Sequence, residues 1–180
     1  MMPNRDENRV LTFRGVDKAA VLYGIGKTAR ALACVNRILA QKPGNKDALL
    51  VKAEILSDLD RPRAALKLVE GVLKRNPSDF AALSTKGGVL IQAGEPRRAL
   101  RIFATLGKRP RVPKEERLYL YWSWIDTLIT LNRRRRAKQI LEQALKLFPE
   151  DDLLLHFKTL ASGKARNGKP PTRAKRTRKR

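Results

Sequence analysis

With 180 residues and 42% hydrophobic side chains, the chain is long enough for one domain with a buried core, and 40 Lys+Arg against 17 Asp+Glu leave a formal net charge of +23. The apolar content excludes wholesale disorder, while the charge favours an anionic partner: nucleic acid, a ribosome, a negatively charged membrane surface or an acidic protein. One cysteine, Cys34, and one histidine, His156, exclude an internal disulfide framework and most metal or acid–base centres. No apolar run approaches the ~18–20 residues that span a bilayer. The opening MMPNRDENRV carries charges of both signs with no apolar stretch behind them, so no secretory signal is read there. These features lead us to expect a soluble, cytoplasmic, basic protein with no cofactor and no metal.

The sequence overlays itself when shifted by 34 residues. Leu22 falls on Leu56 and Leu90; Ala31 on Ala65 and Ala99; Val35 on Val69 and Phe103; Pro43 on Pro77. A fourth copy follows four extra residues, 114–117, with Leu128, Ala137, Leu141 and Pro149 in the same columns. The units are 12–45, 46–79, 80–113 and 118–151, preceded by an extension over 1–11.

Each unit reads as two helices. In the second unit Leu49, Ala53 and Leu56 recur at helical spacing and Asp60 interrupts them. Ala65, Leu68, Val69, Val72 and Leu73 then resume the pattern until Asn76-Pro77 stops it. Gly26, Asp60, Gly94 and Asn132 share the column between the helices, where turn geometry is required. Pro62 and Pro96 sit in the first turn of a second helix, where a missing N–H costs little. The four-residue insertion, flanked by Pro110 and Pro113, is expected to bend the stack or lengthen a turn. Residues 152–162 read as one more amphipathic helix that covers the last apolar face. From 163 to 180 there are nine Lys/Arg and no carboxylate, so we expect a disordered basic tail.

The chain resembles the tetratricopeptide repeat (TPR) family. The matching residues are the small column Ala19, Ala53 and Gly87, the column Ala31, Ala65, Ala99 and Ala137, and the terminal Pro43, Pro77 and Pro149. Small residues there let paired backbones approach to ~8 Å. Ile125 departs from the small column, Arg111 replaces the third terminal Pro, and Gly15 weakens the first helix. The resemblance implies an all-α fold, a right-handed α-solenoid whose first helices line a concave groove and whose second helices form the convex back.

In that frame the first helices are electrically neutral, whereas the turns and second helices carry net +14 and the tail +9. Basic residues gather where second helices begin: Arg61 and Arg63; Arg97, Arg98 and Arg101; and the run Arg133, Arg134, Arg135 and Arg136. Acidic side chains are the ones favoured at that end, by ~0.3–1 kcal/mol each. Three explanations stand: a solvated basic face, pairing with Glu116, Glu142 or Glu150, or a surface for an anion. Arg173, Lys175, Arg176, Arg178, Lys179 and Arg180 extend the third reading into the tail. No aromatic residue is interleaved with these charges, so the expected attraction is to phosphate backbone, not to bases.

On the groove side the resemblance places Phe13, Asp17, Asp47, Leu50, Glu54, Asp58, Tyr119, Trp122 and Asp126, a mixture suited to a peptide. Tyr121 and Trp124 fall in core columns. The alternative is that Tyr119 and Trp122 also pack internally, against the insertion or the final helix.

Catalytic chemistry has no candidate. Gly24-Ile25-Gly26-Lys27-Thr28 looks like the end of a phosphate-binding loop, but Val21 stands at its first glycine position and no strand precedes it. Glu115-Glu116 and Asp151-Asp152 suit helix starts. Two functions remain: a non-enzymatic adaptor, scaffold or chaperone holding a polypeptide in the groove, or a nucleic-acid- or ribosome-associated factor using the basic back and tail.

Overall fold

The computed structural model describes residues 15–161, and among these every regular element is a helix. In chain order they are α1 (Gly15–Gly24), α2 (Thr28–Gln41), α3 (Lys46–Asp58), α4 (Pro62–Arg75), α5 (Phe80–Gln92), α6 (Pro96–Gly107), α7 (Lys114–Thr130), α8 (Arg134–Leu147) and α9 (Asp152–Ala161). The basic tail and the extension over 1–11 lie outside the described residues. The chain divides into two compact units, one ending at Ala93 and the other beginning at Gly94. The boundary therefore falls inside the third repeat.

The column predicted to turn does so by one mechanism. Gly26, Asp60, Gly94 and Asn132 all have positive φ, at 77°, 57°, 76° and 55°. At three of these turns the next backbone N–H reaches back to the helix: Lys27 to the Leu22 carbonyl, Arg61 to that of Leu56 and Arg133 to that of Leu128, at 2.8–2.9 Å. This closes the helix end and consumes a carbonyl that would otherwise be left without a donor. Pro62 and Pro96 then open α4 and α6 at their first positions.

In the first unit α1 and α2 form one helical hairpin and α3 and α4 the next, with α5 added to the end. The first helices pack on one another, α1 on α3 and α3 on α5, while α2 and α4 do not touch. Ala19 and Ala53, in the small column, are fully buried, as are Ala31, Val35, Ala65 and Val69. These residues seal hairpin to hairpin in two adjoining apolar clusters.

In the second unit α7 packs on α6, α8 and α9, and α8 on α9. Phe103, Leu120, Ile125, Leu128 and Leu154 are fully buried, and Tyr121 and Trp124 join them as expected. Each such large apolar side chain contributes roughly 1.5–3 kcal/mol by leaving water. Gly107 lies directly under Trp124: a Cβ built on it would meet the ring Cζ3 at 2.6 Å. Tyr121 and Phe148 meet edge to face with centroids 6.4 Å apart.

The four inserted residues do not form a longer turn. They are helical, and α7 runs 17 residues from Lys114. Pro113 precedes the first turn, and Glu115 and Glu116 within it complement the helix dipole. Arg117 donates to the carbonyls of Arg109 and Pro110 at 2.8 and 3.0 Å, fastening the preceding loop. Lys114 Nζ lies 5.6 Å from the centroid of Phe148, so the added turn also caps that ring.

Candidate polypeptide-binding face

In the first unit α1 packs on α3 and α3 on α5, so their exposed stripes adjoin. One hydrogen-bonded row crosses all three. The Tyr23 hydroxyl of α1 donates to the Asp58 carboxylate of α3 and contacts the Glu54 carbonyl at 3.4 Å. The Thr85 hydroxyl of α5 donates to Glu54 Oε1 at 3.5 Å. The carboxylate of Asp58 is thus held by a neutral hydroxyl, which orders it without cancelling its charge. Asp17 and Asp47 are exposed on α1 and α3. Leu50, expected to line the groove, is only 6% exposed and belongs to the apolar cluster. Its side chain is spent on packing α3 against its neighbours. Phe13 lies outside the described residues.

Each first helix of the first unit after α1 is capped by a polar residue. Asn45 accepts the Ala48 N–H and Asp79 the Ala82 N–H, both at 2.9 Å. Asp79 also takes Lys46 Nζ at 3.0 Å, which ties the start of α3 to the start of α5. Burial alone would raise the Asp79 carboxyl, but the Ala82 N–H, the Lys46 ammonium and the Ala81 N–H together hold it below its ordinary 3.8.

In the second unit the same capping position is Asp151. Its Oδ1 accepts the Leu154 N–H at 2.9 Å, opening α9, and the Trp122 indole N–H at 2.8 Å. Trp122 is therefore half-buried and engaged with the start of the final helix rather than standing as a free anchor. Tyr119 is likewise half-buried. Asp126 remains open to solvent, yet the protein around it removes enough water to push its carboxyl above 3.8. Tyr119, Trp122 and Asp126 share α7.

The second helices present a different surface. None of α2, α4, α6 and α8 has a side-chain cap or an acidic residue in its first turn. Arg133, Arg134, Arg135 and Arg136 are all exposed, and none forms an ion pair or hydrogen bond through its side chain with a described residue. Pairing with Glu116, Glu142 or Glu150 is therefore not what holds them. Arg97 and Arg101 are exposed in the same way, whereas Arg98 pairs with Glu95. The tail residues Arg173, Lys175, Arg176, Arg178, Lys179 and Arg180 lie outside the described residues. Among the described residues no group of three or more His, Cys, Asp or Glu could hold a metal ion, and no helix is long and apolar enough to cross a membrane.

The sequence marks Asp151 only as an acid suited to a helix start, and the caps at Asn45 and Asp79 are what sequence reasoning missed. Asn45, Asp79 and Asp151 each follow Pro43, Pro77 and Pro149 by two residues, and that recurrence was available as a signal.

Residues 22–86 match the family model of the tetratricopeptide repeat. No curated protein matches the chain. Among solved structures, the fold is shared with a thermophilic TPR protein from Thermus thermophilus, at 21% identity and a TM-score of 0.69, covering 88% of this chain and 84% of that one. A tetratricopeptide repeat protein from Parabacteroides merdae aligns at 22% identity and a TM-score of 0.67, over 83% of this chain. The match spans only 58% of the Parabacteroides protein. YrrB, a TPR protein with an unusual peptide-binding site, aligns at 19% identity and a TM-score of 0.53, over 86% of this chain and 95% of that one. Residues 22–86 thus carry the tetratricopeptide repeat signature, and the described chain shares the fold of tetratricopeptide repeat proteins, with the 34-residue period and its left-handed turn column in keeping.

Proposed function

We propose that this protein is a non-enzymatic scaffold that holds a protein or peptide partner on the exposed stripes of its first helices. The observation that carries the reading is the row from Tyr23 through Asp58 and Glu54 to Thr85. It joins three successive first helices in one polar row, with Tyr23 and Thr85 anchored in the packing and the Asp58 carboxylate held at the surface. Such a surface suits a polypeptide, because backbone amides and polar side chains find fixed acceptors while the apolar residues remain in the core. The peptide-binding site of YrrB, which shares the fold, supports the same use of these repeats. A role as chaperone for an assembly or secretion partner is one form of this function. Asp17, Asp47, Glu54 and Asp58 in one unit and Tyr119 and Asp126 in the other are the residues we assign to contact. Their carboxylates argue against a ligand that ends in acidic residues.

Site-specific photo-crosslinking tests the assignment. A crosslinker at Asp47 or Asp126 is expected to capture a discrete partner in cells, while the same group at Lys67 or Gln139 on second helices captures none. Equal capture from both sets, or none from the first, overturns it.

A further inference from the structure

We propose that the arginine run at the start of α8 is a contact surface for the phosphate backbone of a nucleic acid, separate from the polypeptide-binding stripe. Arg133, Arg134, Arg135 and Arg136 are exposed, and no described carboxylate approaches them. Four like charges within about one helical turn repel one another, and an external polyanion relieves that repulsion while accepting from their guanidinium donors.

The geometry selects among polyanions. Successive helical residues turn by about 100°, so the run fans around its helix instead of facing one plane. A bilayer surface meets only part of such a fan, and no exposed apolar side chain stands beside it to insert, Ala137 being fully buried. A strand or duplex carries phosphates at short regular intervals over a curved surface, and several of the guanidiniums reach it together. No aromatic residue lies in the run, so bases are not stacked or read, and binding is expected to be indifferent to sequence.

The test uses the full chain, tail included, and a labelled 20-base-pair RNA duplex in anisotropy titrations from about 50 to 200 mM salt. One variant carries Arg133→Gln, Arg134→Gln, Arg135→Gln and Arg136→Gln. A charge-matched control carries Arg37→Gln, Lys42→Gln, Lys67→Gln and Lys74→Gln, all in the first unit. Circular dichroism verifies that both are folded. The run variant is expected to bind at least tenfold more weakly and to lose about 2–4 from the slope of log K against log salt, at ~0.9 per phosphate contact. The control is expected to lose less than threefold. Equal losses in the two variants would reduce the effect to net charge and overturn the proposal, as would no loss in the first. Polyglutamate displacing the duplex at equal charge, or run-dependent binding to anionic vesicles without binding to the duplex, would assign the surface to another partner and also overturn it.

Discussion

The indole N–H of Trp122 and the main-chain N–H of Leu154 converge on a single oxygen of Asp151, at 2.8 and 2.9 Å. One carboxylate thus opens the last helix and fixes the orientation of the largest partly exposed side chain on α7. The position held by Asp79 in the first unit serves α5 in the same way and takes a lysine instead of a tryptophan. The cap opens α3, α5 and α9 but not α7, which starts after Pro113, and what else it holds varies.

Asp151→Ala is expected to destabilise the second unit by about 1–2 kcal/mol through loss of the cap, with a further loss from the orphaned indole. Trp122→Phe keeps the ring and the cap and removes only the side-chain hydrogen bond, so about 1 kcal/mol is expected. Urea denaturation monitored by circular dichroism measures both. Equal costs for the two variants would show that the cap contributes nothing.

Gly107→Ala places a methyl group 2.6 Å from the Trp124 ring and is expected to cost about 1–3 kcal/mol. Gly88→Ala, in the middle of α5 with nothing within 4 Å of the new Cβ, is expected to stabilise by roughly 0.5–1 kcal/mol. Thermal unfolding of the two variants should move in opposite directions.

The turn column yields a paired prediction. Gly26→Ala and Gly94→Ala, at φ near 77° and 76°, are expected to cost about 1–2 kcal/mol each, whereas Asp60→Gly relieves a non-glycine residue in the same conformation. Chemical denaturation midpoints report the sign of each change.

Two carboxylates make opposite contributions to stability as pH changes. The folded Asp79 carboxyl lies below its ordinary 3.8, so its contribution is present above that value and is lost as pH falls through the lower, folded one. The folded Asp126 carboxyl lies above 3.8, so between 3.8 and that raised value stability falls as pH rises. Asp79→Asn should therefore lower stability at pH 7 and flatten the acid limb. Asp126→Asn should remove a loss that the native protein suffers near neutrality. Denaturation curves collected from pH 2 to 7 distinguish the two.

Much of the fold was legible because each column has a single local cause. Gly26, Asp60, Gly94 and Asn132 must turn, Pro62 and Pro96 must open a helix, and Ala19, Ala31, Ala53 and Ala65 must let backbones meet. What escaped depends on neighbours that periodicity does not specify. Leu50 shares a stripe with Asp47 and Glu54, but adjacent helices close over it. Trp122 is drawn to Asp151, which lies 29 residues away and belongs to no apolar column. The prolines that precede residues 114–117 suggest a turn, although Glu115 and Glu116 already have the chemistry of a helix start.

The central claim is that the first helices hold the partner, and amide hydrogen exchange on the complex recovered by crosslinking tests it most directly. The account predicts slowed exchange in α1, α3, α5 and α7 on binding, with α2, α4 and α8 unchanged. Protection confined to α2, α4 and α8 would contradict it.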